Sequence, residues 1–421
     1  MTFGRIYLGI KANQFVERRL RPPDMRERWA EFNRESARSI FDSAVELQGL
    51  ILKGCQFLGS RADVVPREYV EELSRLQDRV PARPFRVVKS TVERELGAPL
   101  DEVFAEFSPR PVAAASLAQV HEARLLNGRR VAVKVQYPEI ATLVRSDLSN
   151  LRVLFRAVGV IERNLDLMPL IEELGTYVPR ELDFENEGRN AETVAKYFVT
   201  RDDVVVPQVI WEHTTKRVLV MEFMDGIKIT DLDALRAAGV DLGRVAETLV
   251  EAFCEQILTQ GFFHADPHPG NLLVQPEGSR LVLLDFGLAK ELPAEFRQGV
   301  LDFVAALLQG EEALMSHALA ELGFETRDGR EESLRDIAQV ILRVGTEIRR
   351  EATVNPETLA RLRREIPERV RANPIVRIPH HLVLLGRVLG LLSGVSSSLG
   401  ARIDFIRTVT PYALGATGQV R

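Results

Sequence analysis

Cysteine is scarce in this chain, which has only Cys55 and Cys254 among its 421 residues. Two thiols so far apart make neither a disulfide framework nor a cysteine-rich zinc site, so the composition favours a reducing, intracellular setting. An excess of basic residues is also absent, because 60 acidic residues outnumber 55 basic ones and leave a formal net charge of −5. A protein that binds nucleic acid over its whole surface is therefore not expected.

Long hydrophobic runs of the kind found in exported or membrane-spanning proteins are missing as well. Charged residues such as Lys11 and Glu17 interrupt the first apolar stretch, so no signal peptide is predicted. The one stretch that resembles a membrane span covers residues 382–399, but Arg387 stands near its middle, where a charge is costly in lipid. We therefore predict a helix buried in a protein core, whose glycines at four-residue intervals would let a second helix approach closely.

The hydrophobic pattern predicts three parts in a chain that is 45% hydrophobic and 27% charged. Apolar residues at helical spacing predict a helical extension over residues 1–110. Strand-like segments over residues 118–125 and 131–136, joined by the Asn127-Gly128 turn, and over residues 204–211 predict a small mixed lobe over residues 111–224. Residues 225–421 are predicted to form a mainly helical large lobe. The cleft between two lobes is the expected ligand site.

The small lobe contains a lysine suited to holding an anion and an acidic run that could pair with it. Lys134 is a lone cation within the apolar strand predicted over 131–136, and such a lysine either reaches solvent or binds an anion. The acidic run of Glu181, Asp183 and Glu187 could supply its carboxylate partner. Taken alone, this run is equally typical of a solvated helix face.

Two motifs of the large lobe indicate phosphoryl chemistry. The segment from His264 to Asn271 has the spacing of a kinase catalytic loop, in which Asp266 would contact the attacking oxygen and Asn271 would reach a metal ion. An Asp-Phe-Gly tripeptide begins at Asp285, where a hard carboxylate oxygen suits Mg²⁺ held also by nucleotide phosphates. Separately, these residues could be turn caps, and His264 with His268 could be a zinc pair that lacks further ligands. All the motifs together, in kinase order, predict ATP binding.

The departures from an ordinary protein kinase are equally informative. The glycine-rich loop that normally covers the phosphates is replaced by the alanine-rich segment 113–120. Alanine keeps such a loop small but disfavours positive φ angles, so this loop must bind the phosphates differently from a glycine-rich loop. Ala265 occupies the arginine position of the catalytic loop, and a helix-like segment follows near Pro293 without a long activation loop. A platform for docking peptides is therefore not predicted.

These motifs closely resemble those of the UbiB (AarF-type) atypical protein-kinase-like family over about residues 35–400. The alanine-rich loop and the Glu-x-Asp motif at Glu181 are the most specific parts of the resemblance. It implies an α+β, protein-kinase-like two-lobed fold with a helical N-terminal extension. It also implies binding of ATP with Mg²⁺ and an ATPase or phosphotransfer activity linked to quinone or other isoprenoid-lipid metabolism.

The resemblance assigns roles to individual residues. Lys134 would contact the α- and β-phosphates and pair with Glu187, Asp266 would be the catalytic aspartate, and Asn271 and Asp285 would hold the metal. Nucleotide contacts are also implied for the alanine-rich loop and the hinge: Ala113, Ala114, Ala115, Ser116, Val120, Glu222 and Met224.

A regulatory lid is implied by the N-terminal extension. The family has a Lys-x-Gly-Gln motif that folds over the cleft, and the matching residues here are Lys53 and Gln56, which would approach Glu181 and Asp183. Cys55 stands where the family has glycine. We interpret it as a small apolar residue packed in a helix, in preference to a redox sensor.

The leading functional hypothesis is an ATP-hydrolysing or phosphotransfer enzyme that acts on or near isoprenoid lipids, with quinone-biosynthesis proteins as partners. A protein kinase is the alternative among enzymes, disfavoured by the lid and the missing docking platform. A nucleotide-binding scaffold without turnover is the alternative from another class. It is disfavoured because five positions remain intact: Lys134, Glu187, Asp266, Asn271 and Asp285. The expected location is cytoplasmic, with peripheral membrane contact through the first forty residues, whose nine basic and five acidic side chains also suit a solvated helix face.

Overall fold

The computed structural model divides the chain into two compact units, Met1–Asn186 with Val209–Phe223 and Glu187–Gln208 with Met224–Arg421. The described residues are 2–20, 24–47, 55, 66–73, 75–76, 82–144, 146, 148–149, 152, 172, 175, 178–179, 182–330, 334–351, 375–377, 379–401 and 407–412. The three-part division drawn from the hydrophobic pattern stays a prediction.

Helices predominate at both ends of the described chain, and most of its strands lie between residues 104 and 291. The helices are α1 (Thr2–Arg19), α2 (Met25–Leu47), α3 (Arg67–Leu73), α4 (Phe85–Leu96), α5 (Leu100–Val103), α6 (Phe184–Tyr197), α7 (Leu232–Ala237), α8 (Leu242–Cys254), α9 (Ala294–Gln309), α10 (Glu312–Glu321), α11 (Arg335–Glu351) and α12 (His380–Ser398). The strands are β1 (Phe104–Ala114), β2 (Ala118–Leu125), β3 (Arg130–Gln136), β4 (Val204–Val205), β5 (Val218–Glu222), β6 (Ile227–Lys228), β7 (Phe262–His264), β8 (Leu272–Gln275), β9 (Arg280–Leu283), β10 (Ala289–Glu291), β11 (Glu325–Thr326) and β12 (Ile375–Arg377).

An antiparallel sheet in the order β1-β2-β3-β5 forms the centre of the first unit. Alternate residues of β3, namely Val131, Val133 and Val135, are buried in one core with Val88 and Val92 of α4. Fully burying a side chain of this size contributes roughly 1.5–3 kcal/mol, so a slip of one residue would expose the whole set. The buried valines therefore hold the register of the sheet, and the even-numbered residues of β3 point to its other face.

Strand β1 corrects the prediction that residues up to 110 are helical, because residues 104–110 belong to it. Pro109 and Pro111 would break a helix, but β1 is the edge strand of its sheet, where a residue without an N–H group is tolerated. Phe104 is buried at the start of the strand and attaches it to the valine core.

A second sheet, in the order β4-β9-β8-β6, lies in the second unit. The prediction of a strand over residues 204–211 is wrong in its length, because β4 covers only Val204–Val205. This strand runs parallel to β9, and the amide of Leu281 donates to the carbonyl of Asp203. Pro207 cannot donate a ladder hydrogen bond, which accounts for the early end of the strand.

A network of ion pairs joins β4 to α8 in the second unit. Arg201 donates to Asp203 at 2.8 Å and to Glu251 at 2.7 Å, and Arg244 donates to Asp203 at 2.9 Å. The hydrogen bond from Arg201 lowers the pKa of Asp203 to about 2.

Helix α12 forms where a helix was predicted, but its glycines do not have the predicted packing role. The apolar residues of the buried face include Leu384, Leu385 and Val388. A Cβ atom added at Gly386, Gly390 or Gly394 would meet nothing within 4 Å. Among the described residues, no other helix therefore packs closely on the glycine face. The described part of the chain also contains no helix with both the length and the apolar character that a membrane span needs.

Candidate active site

A single row across the first unit's sheet brings together three predicted nucleotide contacts. Ala113 of β1 pairs with Val120 of β2, and Val120 pairs in turn with Lys134 of β3. Residues that are directly opposite on neighbouring strands share a face of the sheet. Ala113, Val120 and Lys134 therefore line one surface, opposite to the valine core.

The alanine-rich loop turns from β1 into β2 without glycine. The turn is closed by the amide of Ala115, which donates to the carbonyl of Ala118 at 2.8 Å. Ala113 and Ala115 are exposed, Ala114 is half-buried and Ser116 is buried. In the described chain only Ser279 and Asp285 combine a side chain with a positive φ angle, so the loop adopts a conformation that alanine allows.

Lys134 lies against the start of helix α6. Its ammonium group is 5.2 Å from the ring centre of Phe184, a cation–π contact. Glu187 follows three residues later in the same helix and is 2% exposed. A carboxylate buried so deeply requires a cation or several hydrogen-bond donors. Asp183, which was predicted to meet the lid, accepts the amide hydrogen of Asn186 at 3.1 Å and so caps this helix.

The predicted hinge residues lie where the chain passes from the first unit to the second. Glu222 ends β5, where it pairs with Val131, and its carboxylate is 3.9 Å from the guanidinium of Arg129. Met224 is the first residue of the second unit after this strand. Both residues are partly exposed.

The predicted catalytic loop, which lies in the second unit, is closed by its own hydrogen bonds. The carbonyl of Asp266 accepts from the amide of His268 at 2.7 Å and from Nδ2 of Asn271 at 3.4 Å. Nδ1 of His268 accepts from the amide of Gly270 at 3.1 Å, so the proton of a neutral His268 is on Nε2. The loop thereby fixes Asp266 and Asn271 relative to each other.

The two predicted metal ligands are brought together by the hairpin of β8 and β9. The amide of Leu284 donates to the carbonyl of Asn271 at 2.9 Å, directly before Asp285. Asp285 has a φ angle of +57°, and its Oδ1 accepts from the amide of Gly287 at 3.2 Å. A left-handed backbone at a non-glycine residue costs free energy, and such residues concentrate at functional sites.

The chemistry of these donors fits Mg²⁺. Asp285 offers a carboxylate oxygen and Asn271 an amide oxygen, both hard ligands. Within the described ranges, no three His, Cys, Asp or Glu side chains gather into a metal site. Mg²⁺ commonly takes one or two protein carboxylates and completes its shell with water and nucleotide phosphates. The pair can therefore hold Mg²⁺ together with a nucleotide rather than alone.

The predicted catalytic loop begins with a buried histidine. His264 is 1% exposed, and its ring lies 6.2 Å from that of Phe253 and 5.5 Å from that of Phe286. Burial lowers the pKa of His264, so the ring is neutral at physiological pH. Gln256 accepts its backbone N–H at 3.0 Å. This glutamine belongs to a π-helical turn, Glu255–Gln260, a rare element that often marks functional sites.

Two contacts of the site were not predicted from the sequence. Arg387 of α12 donates to Oδ1 of Asp266 at 2.8 Å, and Asn190 of α6 donates to the carbonyl of Phe286 at 2.9 Å. The one sequence signal for Arg387 is a charged residue within an apolar helix. The pattern by itself shows only that this charge would be unfavourable in a lipid bilayer. Asn190 gives no such signal, because a polar residue on a polar helix is unremarkable.

The predicted lid residues Lys53, Gln56 and Glu181 lie outside the described residues, so the lid stays a prediction. Cys55 is described, and it is buried in an apolar cluster with Ala44, Leu73 and Leu76. Burial raises the pKa of Cys55 to about 12, so the side chain is a neutral thiol. This environment agrees with the packing interpretation of Cys55.

Comparison with known proteins relates this architecture to kinases. A family model described as the ABC1 atypical kinase-like domain matches residues 75–319. The chain is 35% identical over 383 residues to Protein ACTIVITY OF BC1 COMPLEX KINASE 7, chloroplastic, of Arabidopsis thaliana. The aligned region covers 90% of this chain and 54% of the relative. It is also 35% identical over 376 residues to AarF domain-containing protein kinase 1 of Xenopus laevis, and this alignment covers 87% of this chain and 71% of the relative.

A solved structure has the same fold. Rv3197 of Mycobacterium tuberculosis, determined in complex with erythromycin, matches with a TM-score of 0.66 and 25% identity over 91% of this chain and 96% of that one. The chain spans about half the length of the plant relative.

Proposed function

Since this chain belongs to the ABC1 atypical kinase-like family, which is the UbiB (AarF-type) family that its motifs resemble, we propose that it binds ATP with Mg²⁺ and catalyses transfer of the γ-phosphoryl group. Membership confirms the predicted family and the kinase-like fold. The observation that carries the proposal is the link between Asn271 and Leu284, which brings an amide ligand beside the strained Asp285.

The catalytic roles follow from the chemistry of each group. Asp266 accepts a proton from the attacking hydroxyl group or water. Asn271 and Asp285 hold the metal ion, which neutralises charge on the phosphates when bound. Lys134, paired with Glu187, stabilises the negative charge of the phosphates.

The nucleotide contacts are proposed on the first unit's sheet and hinge. The backbone of the loop from Ala113 to Ser116 covers the phosphates, and Val120 packs against the nucleotide beside Lys134. Glu222 and Met224 flank the adenine through their backbone groups. The shared row of Ala113, Val120 and Lys134 supports this arrangement.

Nucleotide binding should depend on Mg²⁺ through Asp285. In a thermal-shift titration, ATP with Mg²⁺ should raise the melting temperature of the wild type much more than ATP with a chelator. Asp285→Asn should remove most of that difference, because an amide is a weaker ligand than a carboxylate for a hard cation.

The control for this titration is Asp233→Asn, since the Asp233 side chain is fully exposed in the same unit. It should respond as the wild type does. Equal stabilisation by ATP with and without Mg²⁺ in the wild type would contradict the metal assignment.

The phosphate acceptor is proposed to be water or a small molecule rather than a protein. Only residues 288–293 separate Gly287 from helix α9, which leaves no long activation loop to dock a peptide. The Xenopus relative is named as a protein kinase, so phosphorylation of proteins is the second candidate. In this proposal, the lid of Lys53 and Gln56 over Glu181 and Asp183 would further limit peptide access.

We place the reaction next to isoprenoid lipids or quinone-biosynthesis proteins, on the resemblance of the motifs to the UbiB family. ADP release should rise severalfold when vesicles contain a polyprenyl quinone, compared with vesicles of the same phospholipids alone. The Asp266→Asn variant reports any background from contaminating ATPases. The same rate with both vesicle preparations would argue against a lipid-linked reaction while leaving ATP turnover intact.

A further inference from the structure

The candidate catalytic aspartate has a cationic partner from a distant part of the chain. Nη2 of Arg387 donates to Oδ1 of Asp266 at 2.8 Å, across 121 residues of sequence. The position before the aspartate, which is arginine in the usual kinase catalytic loop, is here the buried Ala265. The charge that the loop lacks is thus supplied by helix α12.

The exposure of the two side chains separates two roles for this arginine. The Arg387 side chain is 11% exposed, whereas that of Asp266 is 27% exposed. The guanidinium is therefore the more shielded partner, and an arriving acceptor meets the carboxylate first. This difference favours an arginine that acts through Asp266 over one that binds the transferred phosphate.

Stability alone does not explain a guanidinium at this place. Removing a charged group from water has a high free-energy cost, and an apolar side chain of similar volume often stabilises a buried position as well or better. Nε of Arg387 is buried and makes no hydrogen bond with the described residues. The neighbouring Leu384 and Val388 show that this helix packs its buried face with apolar side chains.

The surrounding charges suggest what the arginine contributes. Asp266, Asp285 and Arg387 each act electrostatically on the buried His264, so each of these charges lies near its ring in the second unit. Arg387, which contacts Asp266 at 2.8 Å, offsets the charge of that carboxylate. It thereby reduces the repulsion between the two carboxylates before a metal ion arrives.

We propose that Arg387 is a positioning residue for the phosphoryl-transfer reaction. It holds Oδ1 of Asp266 and so orients Oδ2 toward the acceptor hydroxyl group. This inference rests on the proposed function and adds to it a residue that replaces the missing arginine of the catalytic loop.

The test compares turnover with nucleotide binding. Arg387→Gln should lower kcat for ATP turnover by about 10- to 100-fold, the scale of a misplaced reactive group, and leave the Kd for Mg²⁺-ATP nearly unchanged. Arg387→Lys should recover part of the rate, because it retains the charge without the planar fork. Millimolar guanidinium, well below denaturing concentrations, should restore part of the activity of Arg387→Ala.

Arg244→Gln is the matched control, since Arg244 forms ion pairs with Asp203 and Glu251 in the same unit. It should lower the melting temperature without a comparable loss of kcat, and guanidinium should not increase its rate. Unchanged kcat in Arg387→Gln would overturn the inference. The inference would also be overturned if the loss of kcat matched the loss of folded protein and neither Arg387→Lys nor added guanidinium restored activity. If the wild type itself turns over no ATP, the proposed function fails instead.

Discussion

Replacing Asp266 by asparagine is expected to reduce ATP turnover by about 10²- to 10⁴-fold, the usual contribution of a positioned general base. The amide has nearly the same shape but cannot accept the proton of an attacking hydroxyl group. It also loses the charge that pairs with Arg387. Steady-state ADP release measures the effect, and the Kd for Mg²⁺-ATP should change little because Asp266 is not assigned to the nucleotide.

Asp233→Asn makes the same chemical change at a fully exposed carboxylate and should retain wild-type turnover. Melting temperatures of both variants separate a catalytic loss from a folding defect. If a folded Asp266→Asn protein kept most of the wild-type rate, that result would falsify the assignment of Asp266 as the general base.

Lys134→Ala should reduce kcat/KM for ATP by about 10²- to 10³-fold, or about 3–4 kcal/mol, as expected when one preorganised donor to a charged group is removed. The strand holds the ammonium group against Phe184. Its loss leaves the phosphates without this cation and Glu187 without its proposed partner. Titration of nucleotide binding, together with turnover at saturating ATP, divides the effect between binding and catalysis.

Lys89→Ala serves as the control in the same unit, because Lys89 lies on the exposed side of α4 and forms only a surface pair with Glu93 at 3.7 Å. Such a pair contributes little to stability. Lys134→Arg should be only partly active, since the guanidinium differs from the ammonium group in size and geometry. Normal ATP affinity and turnover in Lys134→Ala would remove Lys134 from the site.

Local patterns were sufficient to predict the elements that carry most of the site. Strand β2 begins and ends at the predicted residues, and the Asn127-Gly128 turn leads into β3. Helix α6 begins one residue after Asp183, whose side chain caps it. These features depend on side-chain alternation and on hydrogen bonds between residues close in sequence.

Strand β1 and the short β4 were not predictable in the same way. Residues 104–110 were assigned to the helical extension, and only the edge position in the sheet makes a segment with Pro109 and Pro111 compatible with a strand. The extent of β4 depends on β9, which follows it by more than seventy residues. Strand pairing of this kind depends on partners that no local window contains.

The sequence by itself determined which chemical groups are present and in what order, including Lys134, Asp266, Asn271 and Asp285. Only the tertiary structure decided which of them meet, and with what partners. The row from Ala113 to Lys134 exists because the pairing of three strands sets Ala113, Val120 and Lys134 opposite one another. The pairing of Arg387 with Asp266 exists because α12 packs beside a loop 121 residues away. An ion pair requires an approach of a few ångströms, and for residues so far apart in sequence the fold alone provides it.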